Sequence, residues 1–432
     1  AVVLKTDGTV AAVTGVAEGA GTPVVFEAAT STYLTATYDS TNNKVVIAYQ
    51  DGGNSNYGTA VVGTVSGTTI SFGTPVVFET GTASYNSATY DVANGKVVIA
   101  YSDSGNSSYG TAVVGTVSGT SISFGSPVVF LSGYTFYTSA AYDSTNNKTV
   151  IAYRDSITTN YGTAIVGTVS GTSISFGTAV VFESAATSYI SATYDSTNGK
   201  VVIAYRDGGN SNYGTAIVGT VSGTSISFGT EVVFESAITI YISSAFDSNS
   251  GKVVIAYRDD ASVFYYGTAI VGTVSGTSIS FGSPAVFNAA LTTYTSTTFD
   301  STNNKVVIAY TTNPLTGLSI VGTVSGTSIS FGSATTIHTA GSSYTAATYD
   351  SNANKVVIAY QDNGNSAYGT AAVLTVGSSN NTSFIGITSE AISNTATGAI
   401  NTYGGINSVQ TGLTIASDYY VQADGSLSTT ST

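Results

Sequence analysis

Large apolar residues alternate with small or polar ones along most of the chain, and the alternation is broken at short intervals by Gly, Asn, Asp and Ser. In the first clear block, Tyr33-Leu-Thr-Ala-Thr-Tyr-Asp39 predicts a strand, Ser40 to Asn43 a turn, and Lys44-Val-Val-Ile-Ala-Tyr49 a second strand. The second strand is apolar on both faces, so each face should be covered by another layer. A polar loop spans 51–56. Tyr57-Gly-Thr-Ala-Val-Val-Gly-Thr-Val65 then predicts a third strand, Ser66-Gly67 a turn, and Thr68-Thr-Ile-Ser-Phe72, continuing into Val76-Val-Phe78, a fourth. No segment carries a helical period.

The block recurs. Its turn aspartate returns at Asp39, Asp91, Asp143, Asp195, Asp247, Asp300 and Asp350, at intervals of 52, 52, 52, 52, 53 and 50 residues. A period near fifty built from strands and turns predicts a β-propeller, here seven-bladed with four strands per blade, over residues 21–385. Pro23, Pro75, Pro127 and Pro284 each precede a Val-Val-Phe or Ala-Val-Phe segment. Proline cannot donate to a strand ladder, so these mark a strand end on an outer edge. Gly-Thr-Pro-Val-Val-Phe-Glu27 is a partial copy of that outer segment, and it is expected to complete the last blade from the start of the chain. Residues 1–20 and 386–432 fall outside the repeat. Each holds an Asp-Gly hairpin signal, Asp7-Gly8 and Asp424-Gly425, and the two ends are expected to form the halves of one small β module.

Composition narrows the chemistry. Charged residues are 8% of the 432, so the surface must be largely Ser, Thr, Asn, Gly and Tyr. The net charge of −13, with lysines spread one per repeat and only three arginines, excludes a basic nucleic-acid surface. No apolar run reaches the ~18 residues of a membrane helix, so membrane insertion is not expected. Cysteine is absent, which removes disulfides and thiol chemistry. Methionine is absent even at position 1, which points to a processed chain or a segment of a longer one.

The recurring aspartates are read as turn formers, because an Asp side chain accepts backbone N–H bonds in tight turns. The single histidine, His338, is read as an isolated surface residue with no triad or metal partner. Arg154, Arg206 and Arg258 hold the same place in three consecutive repeats, and three converging arginines are how propeller sialidases grip a carboxylate. The Asp box of those enzymes is missing, there is no tryptophan, and each Arg precedes an Asp (Asp155, Asp207, Asp259), so a local or cross-blade ion pair is expected. Asp51-Gly-Gly-Asn54-Ser-Asn56 and its counterparts offer hard oxygen atoms but not the Asp-x-Asp-x-Asp spacing of calcium loops. No catalytic residue, metal or cofactor is expected.

The copies differ unevenly. Turns of the Asp-Ser-Thr-Asn-Asn-Lys and Val-Ser-Gly-Thr-Ser kinds are nearly identical, whereas the loops expected between second and third strands (155–160, 259–265 and 311–315) and between blades (131–136 and 236–240) vary. Neutral drift should roughen two unused faces equally, so the variable face is the expected ligand surface. Its candidates are Tyr134, Phe136, Arg154, Ile157, Arg206, Arg258, Phe264, Tyr265 and Leu315. Exposed apolar and aromatic groups are costly without a partner, and rings beside Asn, Asp and Arg suit sugars.

The terminal pattern Ile-Thr-Ser-Glu-Ala-Ile, Gly-Gly-Ile, Gly-Leu-Thr, Tyr-Tyr-Val-Gln and Asp-Gly-Ser-Leu-Ser-Thr-Thr, with Ala-Val-Val-Leu-Lys-Thr-Asp-Gly-Thr-Val at the start, resembles flanking modules of tail-associated virion proteins of marine bacteriophages. The resemblance covers about 65 residues and implies a mounting module with the repeats displayed as cargo. It leads us to expect a non-enzymatic extracellular protein, a tail fibre or virion appendage contacting host-surface glycan or protein and self-associating through its terminal modules. A subunit of an extracellular filament or surface layer is the alternative, and a glycan hydrolase the third.

Overall fold

The computed structural model describes residues 17–312 and 316–377 in full, together with the backbone of six short strands nearer the ends: Val2–Leu4, Val10–Ala12, Ile387–Thr388, Ile400–Asn401, Tyr420–Val421 and Leu427–Ser428. The chain divides into two compact units, Gly19–Val376 and the combined ends Ala1–Glu18 with Gly377–Thr432. In the latter, Val2–Leu4 pairs with Val10–Ala12, and Tyr420–Val421 with Leu427–Ser428, both antiparallel. The two Asp-Gly turns that these strands flank lie outside the described residues.

The larger unit is all-β and consists of seven repeats of a four-stranded antiparallel sheet. In the first copy, residues 31–39 pair with Lys44–Asp51, which pairs with Tyr57–Ser66. The fourth strand comes in two pieces, Thr69–Phe72 and the start of Val76–Asp91, both on Tyr57–Ser66. Each proline stands immediately before the strand that it was expected to bound, as Pro75 does before Val76.

The connections between repeats depart from expectation. Segments 131–136 and 236–240, read as variable loops, are strand: Val128–Asp143 and Val232–Asp247 run unbroken through sixteen residues. Their first halves pair with one repeat and their second halves with the next, with bulges where the register shifts, so the crossing is made by strand rather than by a loop. Only the connections at Asn288 to Thr292 and His338 to Ser342 break into two strands.

The seventh repeat has three strands of its own, Ser342–Asp350, Lys355–Asp362 and Tyr368–Thr375. The start of the chain supplies the fourth. Gly19–Ala20 pairs with Leu374 and Thr375, and residues 24–30 pair with 368–371. Phe26 is thereby buried against Tyr49 and Phe72, with ring centroids 5.2 and 5.5 Å away.

The Val-Val-Ile-Ala-Tyr strands are buried on both faces because each lies between two sheets. Val46 and Ala48 pack with Val97, Ile99 and Tyr101 of the following repeat, while Val45, Ile47 and Tyr49 pack with Val357, Ala359 and Val373 of the seventh. Polar clasps join the same neighbours. The fully buried Tyr49 donates its hydroxyl to Glu27 at 3.0 Å, and Tyr101 and Tyr257 repeat this with Glu79 and Glu235. Glycine brings the sheets closest. A Cβ on Gly73 would lie 1.8 Å from the carbonyl oxygen of Thr120 in the next repeat, and Gly21, Gly125, Gly177, Gly229 and Gly282 are equally crowded.

The recurring aspartates are turn formers. Asp39 is fully buried and accepts Thr41 N–H at 3.0 Å, Asn42 N–H at 2.9 Å and Asn42 Nδ2 at 2.8 Å. The tyrosine before the aspartate reaches the adjacent turn: Tyr90 Oη bonds Thr41 Oγ1 at 2.6 Å, and Asn352 N–H bonds Tyr38 Oη at 3.3 Å. Five of the seven turns hold both their own cap and a neighbour's tyrosine, which constrains their sequence; in the fifth and sixth repeats Phe246 and Phe299 stand in the tyrosine's place. Uniformity on that side therefore has an internal cause and does not by itself mark the other side as the used one.

Candidate functional site

Tyrosine recurs six residues before each turn aspartate, at Tyr33, Tyr85, Tyr137, Tyr189, Tyr241, Tyr294 and Tyr344. Each sits at a bulge. Tyr33 and Leu34 together face Tyr49 between the pairs Thr32↔Gln50 and Thr35↔Ala48, and the other copies do the same. All seven take left-handed backbone, with φ between 50° and 54°, which costs a residue with a side chain about 1 kcal/mol or more. The bulge aims the rings at one another. Consecutive centroids lie 4.9 to 5.5 Å apart, and Tyr344 returns to Tyr33 at 5.3 Å, so the circuit is continuous. Ring contacts at this spacing are worth ~0.5–1.5 kcal/mol each, enough to offset the backbone strain. With the residue after each tyrosine they line a cavity of about 230 Å³. Burial raises the phenol pKa throughout the circuit where a shift is resolved, to about 12 at Tyr241 and further still at Tyr33.

The three arginines stand over three consecutive members. The Arg154 guanidinium lies 5.1 Å from the Tyr137 ring and 4.4 Å from Phe136, its register partner. Arg206 lies 5.3 Å from Tyr189, and Arg258 lies 5.5 Å from Tyr241 and 5.0 Å from Tyr265. The expected ion pairs with the following aspartates do not form. Asp155, Asp207 and Asp259 instead cap their own loops through the backbone N–H groups of Ile157, Gly209 and Ala261, all at 2.8 Å. Arg258 is held by Asp260, with Nε 2.6 Å from Oδ1 and Nη2 3.0 Å from Oδ2. Among the described residues Arg154 and Arg206 have no carboxylate within 4 Å.

The predicted site residues thus gather in two groups bridged by Arg206. In the third repeat, Tyr134 and Ile157 are exposed beside Phe136 and Arg154, and Ile157 lies against Gly133. In the fifth, Phe264 is 61% exposed and stacks on Tyr266 at 6.1 Å, while Tyr265 turns to Arg258. Val263, not singled out from the sequence, is the most exposed large apolar residue described, at 81%. Leu315 lies outside the described residues.

Two features escaped the sequence reading. His338 is not isolated: its Nε2 lies 2.8 Å from Oδ1 of Asp362, because it stands where most other repeats place the tyrosine-clasping glutamate. Glu231 occupies the place of Pro75, Pro127 and Ala179, and it meets Glu183 and Asp207 with carboxylate oxygens within 4.8 Å of one another. These three could together present oxygen ligands to a hard cation. Tyr205 donates to Glu231 at 2.9 Å and to Glu183 at 3.3 Å.

Burial, the hydrogen-bonded Glu231 carboxyl and the charge of Asp207 push Glu183 from 4.5 up to about 7. The folded chain therefore holds this proton more tightly than the unfolded one. The resulting stability is present below pH 4.5 and is lost as pH rises through about 7. The melting temperature should fall across that window, and Glu231→Ala should flatten the fall. Thermal scans from pH 4 to 8 on both proteins check this, and parallel profiles would count against it.

No model of a known protein family matches the chain, and no curated protein matches its sequence.

Proposed function

We propose that Gly19–Val376 is a closed seven-bladed β-propeller serving as a non-enzymatic extracellular recognition module that binds surface glycan through the end carrying the arginines. Three observations support the architecture: seven like repeats, the unbroken tyrosine circuit, and the first strand pairing with the seventh repeat. The circuit fits a central axis, and the paired start of the chain fits ring closure. One observation carries the recognition reading. Aromatic rings and guanidinium groups that the fold does not require collect beside the circuit in the third to fifth repeats, where other repeats place Gln, Ser or Thr opposite the residue before the tyrosine. Flat rings cover sugar faces, and the guanidinium and loop amide groups beside them bond hydroxyls.

The setting follows from the resemblance of the chain ends to virion tail modules: the propeller is displayed outward on a fibre or appendage at the virion surface, and the ends associate with those of another copy. A filament or surface-layer subunit is the competing setting, distinguished by imaging the native assembly.

Replacing Phe264 and Tyr265 with the Ser-Asn found at residues 55–56 and 211–212 should leave the melting temperature within a degree or two. Tyr265 occupies left-handed backbone at φ 57°, which Asn tolerates better. Attachment to host cells should weaken by more than ~1 kcal/mol per ring removed. Altering Asn42 and Asn43 on the uniform side supplies the control. Equal losses from both changes would sink the reading, and loss of attachment after protease treatment of the cells, but not after glycosidase treatment, would transfer it to a protein receptor.

A further inference from the structure

We infer that Arg154 and Arg206 form an anion site beside the tyrosine circuit, selecting glycans that carry a carboxylate or sulfate group. This rests on the glycan reading above and adds a charge requirement to it.

Both cations are held at a cost without a counter-charge. The Nε atoms of Arg154 and Arg206 are sealed from solvent and have no acceptor. No carboxylate among the described residues approaches either guanidinium within 4 Å, although the chain has more than twice as many acidic residues as basic ones. A buried donor without a partner is costly, and stacking on Tyr137 and Tyr189 offsets only part of that cost. The fold does not need the charge. Gln50, Ser102, Thr311 and Gln361 take the equivalent place opposite the residue before the tyrosine in the other repeats, and those sheets form with the same register.

Position completes the case. Arg154 and Arg206 stand over rings whose centroids are 5.3 Å apart, so they flank one sector of the circuit. The neighbouring Arg258 is neutralised by Asp260, which confines the uncompensated charge to the other two. Both side chains are only half-buried. Guanidinium groups with free terminal nitrogens match the paired oxygens of a carboxylate or sulfate, and low local polarity strengthens the contact. Phe136 lies against Arg154, and the exposed Tyr134 stands two residues earlier on the same strand, offering a surface for the sugar ring that carries the anion.

The test uses the full chain and three oligosaccharides of equal length: uronic-acid-bearing, sulfated and neutral. Titration calorimetry at low and at moderate salt compares the unaltered protein with Arg154→Gln/Arg206→Gln, which installs a residue that the chain already uses at Gln50 and Gln361. We expect an acidic oligosaccharide to bind more tightly than the neutral one, with a preference that shrinks as salt rises. The double variant should lose about ten-fold or more per arginine on that acidic ligand and leave weak neutral binding unchanged. Whether the carboxylated or the sulfated arm binds better identifies the anion. Acidic and neutral ligands binding alike would overturn the anion site while leaving glycan recognition intact, as would an acidic preference that survives in the double variant. Binding of none of the three would overturn both readings.

Discussion

Gly73→Ala should cost about 3 kcal/mol of stability, toward the upper end of what overpacking a tight interface produces. The added carbon would lie 1.8 Å from the Thr120 carbonyl oxygen, so the backbones of two sheets must part by more than an ångström. The clasp of Tyr101 by Glu79 and the contact of Phe78 with Phe124 lie across the same boundary and would be strained with it. Gly332 supplies the control. It holds the same place in the sixth repeat, yet among the described residues its nearest neighbour outside the adjoining ones is Val321 O at 3.9 Å; in the seventh repeat Gly19–Ala20, from the chain start, pairs with Leu374 and Thr375. Gly332→Ala should therefore shift the melting temperature little. Denaturant unfolding of both variants settles the matter, and equal effects would mean that the sheets do not press together as described.

Deleting residues 22–28 should be still more damaging. It removes the strand that pairs with residues 368–371, and with it Phe26, which fills the space beside Gly369, Tyr49 and Phe72. Emptying a buried Phe site alone costs about 3–5 kcal/mol. The deletion also strips hydrogen bonds from Tyr368–Thr375 and leaves Tyr49 without the Glu27 acceptor. Unfolding should start earlier and lose cooperativity, because the first and seventh repeats would each lose a neighbour. A truncated chain that melts with the parent's midpoint and slope would refute closure through this strand.

Much of the fold was legible because its signals are local and repeated seven times. Alternation identifies the strands, and the doubly apolar Val-Val-Ile-Ala-Tyr run requires a sheet on each side. Asp39 and its counterparts make turns through bonds spanning only two or three residues, and the copied Gly-Thr-Pro-Val-Val-Phe-Glu27 carries its pairing preference to the far end of the chain. Loops between repeats were misread because variation in side chains was taken for absence of strand. In Val128–Asp143 the backbone pairs on both sides whatever the side chains are. The tyrosine circuit was visible as a fixed spacing of six residues before each aspartate, but a spacing does not show which way a ring points.

The amino-acid sequence by itself determined the all-β character, the repeat, the turn aspartates and the strand supplied from the chain start, since each depends on patterns within a few residues or on similarity between copies. Tertiary structure alone decided what meets what. Residues about fifty apart, such as Tyr137 and Tyr189, or more than three hundred apart, such as Tyr33 and Tyr344, become neighbours only when sheets stack, and a bulge turns their rings to a common point. The same stacking decided that Asp155 and Asp207 serve their own loops rather than the arginines beside them in sequence. Adjacent residues on a strand point to opposite faces, so Arg154 and Asp155 diverge where the sequence places them together.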